Sequence, residues 1–111
     1  MPICKLSSFS DEGMKTLGFL HSKYCINAIE EIFISHFGVC VMVCYEVWYK
    51  LRMSGKLFSR QRPKHLFWSL IHMKVYCTQR VLCTMLKTTR KTFNKHVHHI
   101  IKIIAEFEQV S

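Results

Sequence analysis

Lys91, Asn94, Lys95, His98 and Lys102 recur at helical spacing in the C-terminal quarter of the chain. On one helix they form a basic, amide-bearing stripe opposite Phe93, Val97, Ile100 and Ile104. Those side chains suit nucleic acid: lysine pairs with phosphates and guanine edges, and an asparagine carboxamide pairs bidentately with adenine. Arg90 and the unpaired N–H groups of a helix capped at Thr89 would add positive charge facing a phosphate. Other chemistries have the residue types but not the spacing. Cys40, Cys44, His65, His72, His96, His98 and His99 are zinc-ligand types, yet no C-x-x-C knuckle or paired spacing assembles them, so no metal or cofactor is expected. Cys77 and Cys83 lie near no acid that would orient a histidine base, and both read as small buried residues. His36, Trp48, Phe67, Trp68 and Tyr76 likewise read as core or core-edge residues rather than ligands or base-stacking platforms.

Charge position sharpens this. The 111 residues carry 16 Lys+Arg against 7 Asp+Glu, a formal net charge of +9. Lys50 to Lys102 holds thirteen Lys/Arg and no Asp or Glu. Asp11, Glu12, Glu30, Glu31 and Glu46 precede that block, and Glu106 and Glu108 follow it. A long block of one sign attracts polyanions before any specific contact forms. Double-stranded DNA is therefore the expected partner, with no small-molecule substrate, no membrane and homo-oligomers allowed. Lys91, Asn94 and Lys95 are the expected base-facing residues. Arg60, Arg62, Lys64, Lys87, Arg90, His98 and Lys102 are the expected phosphate contacts.

These residues need a scaffold, and composition bounds it. A chain of 111 residues that is 50% apolar is too hydrophobic to be a disordered tail and long enough for one core. The longest uncharged run, Ile32 to Tyr45, is fourteen residues, short of the roughly 18 to 20 a spanning helix needs. The N-terminus lacks the basic start and apolar stretch of a secretory signal. A nuclear or cytoplasmic address is expected, with the six cysteines as free thiols. A second reading, of a different class, is a basic amphipathic protein lying on an anionic membrane through Ile32 to Val43 and Phe67 to Ile71. A third is a relic fragment with no retained activity.

Hydrophobic period divides the chain into an all-α bundle of about five helices ending in a helix-turn-helix. Ile29, Ile32, Phe33, His36 and Phe37 define a helix from about Ala28 to Phe37, closed by Gly38. A second starts near Cys40, buries Cys44, Val47, Trp48 and Leu51, and ends at Ser54-Gly55. After a basic linker, Pro63 opens a third with Leu66, Phe67, Leu70, Ile71 and Met73 inside, ending near Tyr76-Cys77. Thr78 caps a short helix with Leu82, Met85 and Leu86 inward, and Thr89 caps a long one carrying Phe93, Val97, Ile100, Ile101 and Ile104. Residues 1–25 form a weakly structured segment with at most a weak helix from Asp11 to Leu20, and residues 26–111 form the helical domain.

Phe37-Gly38-Val39, Pro63-Lys64-His65-Leu66 with Trp68 and Leu70, Met73-Lys74-Val75-Tyr76 and Lys91-Thr92-Phe93 occur in this order. Together they make the stretch from His36 to Val110 resemble the N-terminal region of PIF/Harbinger-type (DDE superfamily) transposases. The resemblance implies a helix-turn-helix that binds transposon-end or host DNA through the helix beginning near Arg90. In that family the turn before this helix offers a Gly and a helix-starting Pro, where this chain has Lys87 and Arg90. A capping Ser and a Pro would likewise stand where Cys40 and Val41 are. The family's nuclease needs three carboxylates converging on two Mg²⁺ ions, whereas this chain has a single aspartate, Asp11. A non-enzymatic N-terminal fragment of a transposase-derived protein is therefore the expectation.

Overall fold

The computed structural model describes residues 5–57, 60–74 and 83–110. Among them the fold is all-helical, with no strand. In chain order it comprises α1 (Leu6–Thr16), a 3₁₀ turn (His21–Lys23), α2 (Ile26–Phe37), α3 (Val41–Ser54), α4 (Pro63–Lys74) and α5 (Arg90–Val110). The punctuation anticipated from sequence is where it was expected. Gly38 and Gly55 close α2 and α3 in the left-handed conformation, at φ 87° and 72°, which costs glycine no Cβ clash. Pro63 occupies the first turn of α4. Tyr76, Cys77, Thr78 and Leu82, at the expected end of α4 and start of the short helix, lie outside the described residues. Residues 83–85 are helical.

Helix α4 is the centre of the bundle. His65, Leu66, Phe67, Trp68, Ser69 and Ile71 are all buried, so it is covered around most of its circumference, as an apolar helix must be. Phe67 faces one way: its ring lies 4.8 Å from Phe9 of α1 and 4.7 Å from Phe37 of α2. Trp68 faces the other, 6.1 Å from Phe93 of α5. Phe67 to Ile71 thus forms core, which removes it as the membrane-facing surface considered from sequence. No single helix among the described residues is long and apolar enough to cross a membrane; α2 and α3 reach that length only together and are bent by 60°.

The N-terminal segment departs most from expectation. Its helix runs from Leu6, not Asp11, and it belongs to the core: Phe9 and Met14 are fully buried. The reason is Gly13, which reads as a helix weakener in sequence. A Cβ there would overlap Phe33 Cζ and lie 3.0 Å from Phe67 Cζ, so the missing side chain lets α1 approach α2 and α4. The side chain of Ser10 then hydrogen-bonds His21 Nε2 at 3.0 Å, tying α1 to the 3₁₀ turn.

The start of α3 shows another compensation. Cys40 makes no side-chain cap, but the Val41 N–H donates to Glu30 Oε2 of α2 at 3.2 Å, placing a carboxylate at the positive helix end. Cys44, buried on α3, has its thiol pushed up to about 12, by burial first and then by Cys40 and Glu30. It is held as a packed thiol rather than a nucleophile. Cys25, Cys40, Cys44 and Cys83 are free.

Candidate nucleic-acid interface

The turn into α5 is strained at Lys87. The Thr88 N–H donates to Cys83 O at 3.0 Å and the Lys87 N–H to Thr84 O at 3.3 Å, the paired bonds that end a helix through a left-handed residue. Lys87 is that residue, at φ 56°, a conformation unfavourable for a side chain with a Cβ. Two residues on, Thr89 caps α5: its Oγ1 accepts the Thr92 N–H at 3.2 Å and its carbonyl accepts the Phe93 N–H at 2.9 Å.

From that start α5 is divided by face. Phe93, His96, Val97, Ile100 and Ile103 are buried, while Arg90, Lys91, Lys95, His98 and Lys102 are exposed. The lysines and His98 form one stripe on the side away from the core. Two details differ from the sequence expectation. Ile103 is buried and Ile104 only half-buried, because the seam turns toward His96, which packs on α4. Asn94, expected to face bases, is half-buried, and its Oδ1 is enclosed without a hydrogen-bond partner. It sits one residue from Phe93, about 100° around the helix, on the flank rather than opposite the core. A bidentate grip on adenine needs both amide atoms at the surface, so this geometry removes Asn94 as a base reader.

Two histidines meet where α4 packs on α5. The His65 and His96 rings stack at 3.8 Å and 14°. His65 Nδ1 accepts the Arg62 backbone N–H at 2.9 Å, while the His65 N–H donates back to Arg62 O at 2.9 Å. This reciprocal arrangement lets a histidine play the capping-box role usually taken by Glu or Gln. His96 Nδ1 accepts from Gln61 Nε2 at 3.1 Å. Burial first, then His96, Lys64 and Arg62, lowers His65 to about 3. Burial, then Lys95, Lys64 and His99, also lowers His96. The pair is neutral, and of the cations around it Arg62 and Lys64 are expected phosphate contacts and Lys95 an expected base-facing residue.

Lys64 is exposed at the start of α4, its Nζ 5.9 Å from the Trp68 ring centroid, and it lines the same cleft as Lys87. Arg62 is exposed just before it. Arg60 is exposed on the preceding segment. At the far end of α5, Lys56 pairs with Glu106 and holds its carboxyl below the usual range, first by the hydrogen bond and then by charge. His99 Nε2 donates to the Lys56 carbonyl at 2.7 Å. Among the described residues no cluster of His, Cys, Asp or Glu could hold a metal ion. Gln61, His65 and His96 were missed as structural residues because polar side chains in a basic stretch give no periodic signal. No protein-family model, curated protein or solved structure matches the chain.

Proposed function

We propose that the chain is a non-enzymatic DNA-binding module in which α5, entered through the turn at Lys87, presents Lys91 and Lys95 to the groove. Arg90, His98, Lys102, Lys64, Lys87 and Arg62 hold the phosphates. The observation that carries the reading is the single-sign solvent face of α5 from Arg90 to Lys102: its lysines and His98 are exposed, and the first carboxylate along the helix, Glu106, is occupied by Lys56. The likeness of residues 36–110 to a transposase N-terminal region belongs to the same reading, as does a nuclear address.

Fluorescence anisotropy of a labelled random duplex between 50 and 300 mM salt tests it. Non-specific Kd values on the order of 10⁻⁴ to 10⁻⁶ M are expected near physiological salt. The double change Lys91→Glu/Lys95→Glu, with helicity retained, should weaken binding and flatten the salt slope by about two or more. Phe93→Ala should instead cost roughly 3 to 5 kcal/mol of stability. Absent binding at 50 mM salt, or binding indifferent to the double change, overturns the assignment of α5.

A further inference from the structure

An open cleft of about 440 Å³ lies between the C-terminal end of α1, the start of α4 and the turn into α5. Three lysines from three separate elements line it: Lys15 from α1, Lys64 from α4 and Lys87 from the turn. Trp68 forms part of its wall, Thr88 and Thr92 add polar groups at the entry to α5, and Glu12 is its one carboxylate. None of the three lysines is ion-paired among the described residues, whereas Lys56 is held by Glu106. Three ammonium groups and one carboxylate leave the cleft a formal +2. Like charges brought together from separate elements repel, and an anion seated between them removes that cost. Thr92 stands one residue from Lys91, so the cleft adjoins the exposed stripe of α5.

We infer that this cleft seats a phosphate of the DNA backbone, gripped by Lys15, Lys64 and Lys87, so that α1 belongs to the nucleic-acid interface; the inference rests on the DNA-binding reading above. Lys15 is the informative leg, since it lies outside the helix-turn-helix and sequence spacing does not connect it to α5. A phosphate held at this point fixes where the duplex crosses the N-terminus of α5 and so sets register, whereas the α5 stripe meets the groove.

The experiment uses the full chain and compares Lys15→Gln with Lys23→Gln. Lys23 is an exposed lysine of the 3₁₀ turn that does not line the cleft. Both side chains are exposed, and circular dichroism should show unchanged helicity. In duplex anisotropy, Lys15→Gln is expected to lower affinity by up to about eightfold at 100 mM salt and the salt slope by about one, the share of a single phosphate contact. Lys23→Gln should leave the slope in place. Equal behaviour of the two variants on a duplex that wild type binds overturns the cleft and leaves the α5 reading standing. Loss confined to Lys15→Gln, with Lys91→Glu/Lys95→Glu neutral, keeps the cleft and overturns the α5 assignment. Wild type that binds no duplex at 50 mM salt overturns both.

Discussion

Lys87 adopts φ 56° because the bonds from Thr88 to Cys83 O and from Lys87 to Thr84 O can close only through a left-handed residue. Any residue with a Cβ pays about 1 kcal/mol there. Lys87→Gly should therefore raise stability by about that amount, read as a higher urea midpoint at unchanged m-value. The same change removes one cation from the cleft, so duplex affinity should fall as stability rises. A variant that loses both would show that the side chain of Lys87 supports the turn itself. Asn94 teaches the converse at this scale: its type matched a base reader, but its Oδ1 is enclosed, since one residue of helical rotation separates a flank from the outward face.

Helix α1 shows how packing overrules propensity. Alanine is favoured over glycine in a helix interior by about 1 kcal/mol, so Gly13→Ala would stabilise α1 alone. In the bundle the added methyl meets Phe33 and Phe67. Those rings cannot retreat, because Phe33 lies 4.9 Å from Phe37 and 5.7 Å from Phe67, all fully or nearly fully buried. Overpacking of this kind costs about 1 to 3 kcal/mol, and Gly13→Ala is expected to destabilise the protein, measured by thermal or urea unfolding. A neutral or stabilising result would mean that α1 is not seated against α2 and α4 as described. The seam of α5 is a second case. His96 joins Phe93, Val97 and Ile100 inside because α4 offers His65 as a flat partner, and a hydrophobicity pattern scores a histidine as polar.

Across the molecule, α4 mediates between two halves, with α1 and α2 on one side and α5 on the other, and the His65–His96 stack fastens the second half. Both Nδ1 atoms are occupied as acceptors, so a proton added to either ring removes a hydrogen bond and places a charge among Lys64, Arg62 and Lys95. The folded pKa of His65 is lowered from 6.5 to about 3, so below pH 6.5 the unfolded chain binds a proton that the folded chain does not. Stability should fall as pH drops from about 6.5 toward 3, at up to about 1.4 kcal/mol per pH unit for this group. Urea unfolding at pH 7, 5.5 and 4 reads that slope, and His65→Gln should flatten it. A slope unchanged in that variant would assign acid sensitivity to other groups.

Local chemistry was legible in the sequence. Gly38, Gly55, Pro63 and Thr89 punctuate the helices where their backbone preferences require, and α2, α3 and α5 follow the 3.6-residue period, because capping and periodicity act over a few residues. The exposed basic stripe on α5 follows from that same short-range rule. What the tertiary structure decided is how each helix is turned and how closely it approaches its neighbours. Gly13 became a contact point rather than a weakness, Asn94 moved to a flank, His96 went inside, and Lys15 met Lys64 and Lys87 in one cleft. Each outcome depends on a side chain from a distant element, and such long-range packing leaves no trace in the spacing of residues along a single helix.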